Sequence, residues 1–256
     1  PLAGATSPVT LAGAVVQHTA ECLSGVTICQ LAQAGAPIVW GGSPAAFDMR
    51  EGTTPMGAVG TWMIDCAYTE IGKALGMPTH AYLGMTDAKI VDAQSGLESA
   101  GGTWMAALIG VNMVSGAGMM DFESCQSFEK LVIDAEIIGM SKRLIQGIEA
   151  RDNPIALTLM RELGHRAEYL AQPHTLKWFA EELYTPSSVI DRGTLDGWKR
   201  KGSKTSWERA QDRVEELMAT YQPPQISDDL RTELRDITTQ AANKFGMDKL
   251  PPLPID

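Results

Sequence analysis

Short apolar runs rich in β-formers alternate along the first 150 residues with longer stretches that carry helix punctuation. Residues 36–41 (Ala-Pro-Ile-Val-Trp-Gly), 78–83 (Pro-Thr-His-Ala-Tyr-Leu) and 111–116 (Val-Asn-Met-Val-Ser-Gly) read as strands, and residues 1–4 as the tail of a fourth. Between them, Ser7-Pro8 opens a helix expected to run to Gly35 and Thr54-Pro55 opens another to Gly76. Both follow the preference for Ser or Thr at the cap, Pro at the first turn and Gly past the end. Further helices are expected over about residues 92–109 and 125–150. Alternating strands and helices predict a parallel sheet covered by helices.

After about residue 152 the strand signal stops. Ala210, Val214, Leu217, Met218 and Tyr221 form one apolar helical stripe, and Leu230, Leu234, Ile237, Ala241 and Phe245 another. Pro223-Pro224 separates them, Asp228 and Asp229 suit the positive end of the last helix, and Gly246 ends it. The Pro-rich tail, residues 250–254, is expected to be extended. The chain thus divides into β-α units over residues 1–152 and a helical extension over residues 153–256. A closed eight-stranded barrel usually takes about 250 residues; here about 150 residues carry four strands, which fits half a barrel or an open sheet.

The 256 residues are 44% hydrophobic, enough for a large core, with a formal net charge of -10. The acidic balance, and the lack of a basic cluster beyond Lys199-Arg200-Lys201, argue against nucleic acid or an anionic membrane as partner. Four cysteines with no Cys-x-x-Cys spacing argue against zinc and read as free thiols; Cys22 and Cys29, seven apart on one helix, are expected to be buried. With no leader and no apolar run near 18 residues, a cytoplasmic protein is the expectation. The start at Pro1 suggests a fragment or a processed chain.

Glycine follows each predicted strand: Gly4, Gly41 with Gly42, Gly84, and Gly116 with Gly118. Glycine there permits tight turns and close approach of a ligand. Gly116-Ala117-Gly118 starts like a dinucleotide fingerprint, but Asp121 stands where the last small residue belongs. The long loop over residues 41–53 carries Asp48, Met49 and Arg50, and the stretch after the third strand carries Gly84, Met85, Thr86, Asp87, Ala88 and Lys89, followed by Asp92, Gln94, Gly96 and Glu98. Charged and amide side chains just past a strand lie where a barrel keeps its chemistry. Trp40, Phe47 and Tyr82 are candidates for an aromatic cage, since a quaternary ammonium ion offers charge but no hydrogen-bond donor and binds over ring faces.

The run Thr86-Asp87-Ala88-Lys89 with Asp92, Gln94, Gly96 and Glu98, together with Asp48-Met49-Arg50, residues 128–134, His174-Thr175-Leu176 and Asp191-Arg192, resembles the trimethylamine methyltransferase family. The resemblance spans nearly the whole chain and corresponds to the C-terminal half of longer members. It implies the C-terminal half of a TIM barrel and a methyl transfer from a methylated amine to the cobalt of a corrinoid. That corrinoid would be presented by a separate carrier protein, because the chain lacks the Asp-x-His-x-x-Gly of corrinoid carriers. The family's pyrrolysine, where present, precedes the Thr-Asp-Ala-Lys run, so Met85, or Gly84 one residue earlier, stands in its place. An ordinary residue there implies a quaternary, betaine-like amine, whose nitrogen already carries the charge that makes it a leaving group.

On this reading Asp87, Met85 and Glu98 are the catalytic candidates. Asp48, Asp87 and Glu98 would stabilise the cation, and Arg50 or Lys89 a substrate carboxylate. Trp40, Phe47, Tyr82, Asp92 and Gln94 complete the substrate site, and Gly41, Gly42, Gly84, Gly116 and Gly118 form a rim for the flat corrin. Partners would be the carrier protein and either the N-terminal half of the barrel or a second copy. Two readings compete: a phosphate-binding barrel using the glycines of the 116–118 loop, and a non-catalytic fragment whose open strand edges recruit a partner.

Overall fold

The computed structural model describes residues 1–166, 168–247 and 249–250. The Pro-rich stretch read as extended lies, from Pro251 on, outside the described residues. Four long helices follow short strands: β1 (Leu2–Ala3), α1 (Leu11–Ala32), β2 (Ala45–Ala46), α2 (Val59–Ala74), β3 (His80–Tyr82), α3 (Ala93–Ile109), β4 (Met113–Ser115), β5 (Met119–Met120), β6 (Cys125–Gln126) and α4 (Phe128–Gln146). β1 pairs in parallel with β2, and β3 with β4 in the register His80 to Met113 and Tyr82 to Ser115. A single parallel bridge, Trp40 to Thr79, links the segment before β2 to the segment before β3. The chain is α/β, with neighbours in sequence pairing side by side.

The second expected strand is corrected. Of residues 36–41 only Trp40 bridges, through its N–H to Pro78 O at 2.7 Å and its O to His80 N at 2.8 Å. Pairing resumes at Ala45–Ala46, past Pro44, which has no N–H to give. Part of the expected loop is therefore strand, and Asp48 bridges Thr53 across its tip. A short antiparallel hairpin, β5 to β6, replaces the start expected for the fourth helix. The first two helices also begin later than their Ser-Pro and Thr-Pro signals, at Leu11 and Val59. α3 and α4 have side-chain caps: Asp92 accepts the N–H groups of Gln94 and Ser95, and Ser127 accepts that of Lys130.

The main core lies between strands and helices: Trp40, Ile64, Tyr68, Ala81 and Leu83, each at most 1% exposed, with Ala106 of α3 and Ala14 of α1. Burying each large side chain contributes about 1.5–3 kcal/mol. Trp40 donates its indole N–H to Tyr68 O at 2.9 Å and lies against Gly72, where a Cβ would overlap its ring. A smaller cluster, Ala45, Met56 and Met85 with Leu2, Tyr82 and Met119 against it, caps the strand ends.

Beyond α4 come α5 (Leu157–Leu163), α6 (Pro173–Glu182), α7 (Leu195–Arg200), α8 (Ser206–Thr220) and α9 (Asp228–Lys244). Arg143 of α4 donates to Glu182 O, and Glu136 accepts from Tyr184 and Ser187. These bonds hold residues 182–187 to α4. Pro1–Glu216 forms one compact unit and Leu217–Asp256 a second, whereas the change from β-α units to helices alone falls after α4. In the second unit, Ser227 caps α9 through Leu230 N, Asp228 and Asp229 occupy its first turn, and Leu230, Leu234 and Ile237 are exposed. No helix among the described residues is long and apolar enough to cross a membrane.

Candidate functional site

Three carboxylates from two successive β-α units hold the backbones of the loops past the strands. Asp87, in the loop after β3, accepts the N–H of Met56 at 2.8 Å and that of Gly57 with both oxygens, at 3.1 and 3.0 Å. Glu98, on the second turn of α3, accepts the hydroxyl of Thr86 at 2.5 Å and the N–H of Asp87 at 2.8 Å, while its other oxygen takes the Gln94 amide at 2.9 Å. Asp134 of α4 accepts Gly118 N–H at 2.7 Å and the Lys130 ammonium at 2.5 Å. The turns need these acceptors because their N–H groups have left the strand ladder without entering a helix. Holding Met56 and Gly57 is also what delays the start of α2.

Burial acts on Asp87, Lys130 and Asp134. Desolvation raises the Asp87 carboxyl above the usual range, against the pull of Gly57 N–H and with a push from Glu98. Lys130 and Asp134, 0% and 3% exposed, form a buried ion pair. Desolvation drives Lys130 down and Asp134 up, and their mutual attraction opposes both shifts.

Lys89 reaches outward. Its ammonium donates to Asp87 O at 2.7 Å, pairs with Asp121 at 3.3 Å and lies 3.9 Å from the centre of the Phe122 ring. It thereby clasps the turn at residues 121–123, where Asp121, Phe122 and Glu123 all adopt positive φ. Such backbone costs of order 1 kcal/mol or more per residue and persists only where neighbours impose it.

Several expected site residues are placed otherwise. Trp40 packs in the core and offers no face to a cleft, so it is not a cage wall; Phe47 and Tyr82 remain partly exposed. Asp48 closes on Arg50 at 2.9 Å and accepts the N–H groups of Arg50 and Glu51, contacts that hold its carboxyl down at about 2. Asp92 is a helix cap, and Gln94 supports Glu98. Met85 is 1% exposed against the Met56 cluster. Cys29, expected to be buried, is exposed; Cys22 donates to Gly41 O.

The glycines answer to protein packing. A Cβ on Gly41 would strike His80 O at 2.7 Å, on Gly42 the His18 ring at 2.6 Å, on Gly84 the Thr103 hydroxyl at 2.5 Å, on Gly116 Leu83 O at 2.6 Å, and on Gly118 Leu131 at 3.1 Å. Packing within the chain is therefore reason enough for glycine at each of these positions. The Gly118 N–H that a phosphate would need is held by Asp134.

Sequence reading gave no site role to His80, Ser115 or Asp65, and took Lys130 and Asp134 only as part of the 128–134 motif. The four-residue spacing of Lys130 and Asp134 was legible as one helix face, and period-two alternation placed His80 on the face of Tyr82. Among the described residues, no group of three or more His, Cys, Asp or Glu is placed to hold a metal ion.

The family described as trimethylamine methyltransferase (MTTB) matches residues 1–246. A trimethylamine methyltransferase of Methanosarcina barkeri is 33% identical over 246 residues, covering 95% of this chain and 49% of that protein. A second, of Methanosarcina mazei, is 34% identical with the same coverage. A glycine betaine methyltransferase of Desulfitobacterium hafniense is 31% identical over 246 residues, covering 96% of this chain and 51% of that protein. The chain spans about half the length of the curated relatives it matches.

Proposed function

Because the chain belongs to the trimethylamine methyltransferase family, we propose that the protein containing it transfers a methyl group from a quaternary amine to the cobalt of a corrinoid on a separate carrier protein. The corrinoid is the methyl-accepting substrate, with cobalt in the +1 state supplying both electrons of the new Co–C bond: the C–N bond breaks, the nitrogen keeps its electron pair, and a tertiary amine leaves. The observation that carries the choice of substrate is Met85. It stands ahead of Thr86-Asp87-Ala88-Lys89, where the resemblance puts pyrrolysine at Met85 or at Gly84 one residue earlier; the Met85 thioether is buried, and neither residue can protonate or activate a tertiary amine. A permanently cationic nitrogen needs no such help.

What this chain supplies is orientation and field. Tyr82 and Phe47 lie near the strand ends as ring faces for the ammonium ion. Asp87 and Glu98 fix the loop that follows β3 and place negative charge behind it. Arg50 and Lys89, expected to hold a substrate carboxylate, are already paired with Asp48 and Asp121.

The architecture proposed is the C-terminal half of a TIM barrel, supported by pairing of neighbouring parallel segments with charged loops past their ends. Among the described residues β1 pairs with β2 alone, which suits docking of a preceding half. The cytoplasm is the proposed compartment, where thiols such as Cys29 and Cys125 stay reduced. The test is methyl-corrinoid formation, followed by absorbance, with full-length protein, carrier and reductant. Turnover of quaternary amines and none of trimethylamine is expected; trimethylamine turnover as fast as that of any quaternary amine would overturn the substrate class.

A further inference from the structure

The face of the sheet turned away from the helices carries a polar pair outside the loops described above. Along β3, Ala81 and the following Leu83 are buried against the helices, while His80 and Tyr82 point the other way and stay partly exposed. The register with β4 puts Met113 and Ser115 on that same face. His80 Nε2 lies 2.9 Å from Ser115 Oγ, and the His80 and Tyr82 rings meet edge to face with centroids 4.9 Å apart. Room for the imidazole comes from Gly41 on the neighbouring segment, where a Cβ would lie 2.9 Å from His80 Cβ and 3.1 Å from Nδ1.

We infer that His80 and Ser115 form a subsite for the hydroxyl group of a hydroxyalkyl-trimethylammonium ion, with Tyr82 beside it. The inference rests on the quaternary-amine reading and narrows it. The pair works in two directions. If Nε2–H donates to Ser115 Oγ, the Ser115 hydroxyl is left to donate; if Ser115 donates to Nε2, its lone pairs are left to accept. An alcohol both gives and takes a hydrogen bond and is matched either way. A carboxylate only accepts and calls for a cation, yet burial lowers the tendency of His80 to hold a proton, and both Arg50 and Lys89 are ion-paired elsewhere.

Calorimetric titration of the full-length protein with tetramethylammonium, choline and glycine betaine tests this. Choline is expected to bind at least about fivefold more tightly than either other ion, the worth of one net hydrogen bond. Ser115→Ala should abolish that preference while tetramethylammonium affinity stays within about twofold, and Ser115→Thr, which keeps the hydroxyl, should retain it. His80→Asn is a second variant with the same loss expected. Glycine betaine bound as tightly as choline, or a choline preference that survives Ser115→Ala, would overturn the subsite and leave the quaternary-amine reading standing. Binding of none of the three ions would overturn both.

Discussion

Glu98 of α3 accepts the backbone N–H of Asp87 at 2.8 Å, so this acid and the one in the loop after β3 act in series. Glu98 fixes the backbone that carries Asp87, and Asp87 fixes the turn at Met56 and Gly57 that leads into α2. A substrate cation would feel both charges, but neither carboxylate is idle.

Asp87→Ala is therefore expected to destabilise the fold, by about 1–3 kcal/mol, because the N–H groups of Met56 and Gly57 lose their acceptor. A purely catalytic Asp87, the role its sequence position suggests, would instead leave stability unchanged on substitution. Thermal melting distinguishes them: an unchanged Tm would put Asp87 in the cleft and not in the clamp.

Lys130→Met should cost more, about 3–5 kcal/mol, since it leaves the Asp134 carboxylate buried and uncompensated. Adding Asp134→Asn should recover part of that loss, since a neutral side chain then replaces the stranded charge. Urea unfolding of the two single variants and the double variant gives the coupling, and additive effects would argue against a buried pair.

Asp65 on α2 is fully buried with neither oxygen in a hydrogen bond of good geometry, and burial pushes its carboxyl up to about 8 against the pull of the Tyr68 hydroxyl. With the folded value above the unfolded one, the folded state holds the proton longer. Asp65 therefore costs nothing below about pH 4 and lowers stability progressively as pH rises from there to about 8. His18, held down to about 4 by burial, works in the other direction between pH 4 and 6.5. Above pH 6.5 the opposing His18 contribution is complete, and the share of the slope due to Asp65 should be a fall of at most about 1.4 kcal/mol per pH unit. Asp65→Asn should flatten that slope, and equal slopes in both proteins would exclude the assignment.

Gly72→Ala should be destabilising although alanine is the better helix former by about 1 kcal/mol. Its Cβ would fall 2.4 Å from the ring of Trp40, which is 1% exposed, and 2.9 Å from Thr79 Cγ2. An overpacking cost of about 1–3 kcal/mol outweighs the propensity gain. A Tm at or above that of the parent would show that the indole can move.

The punctuation of the helices, the alternation in residues 78–83 and the family motifs were legible in the order of residues, because helix caps, strand alternation and short motifs are local. Asp92 could be read as a position at a helix start, and the structure makes it the cap of α3. What the sequence alone left open was which way each chemical side chain faces. Asp87 turned inward because two backbone N–H groups, those of Met56 and Gly57, 31 and 30 residues away, required an acceptor. Trp40 turned to the core because α2 offers it a carbonyl and a glycine-sized space. His80 met Ser115 only because two strands 35 residues apart pair in one register. These choices depend on partners brought together by chain packing, and no spacing within a single motif records them.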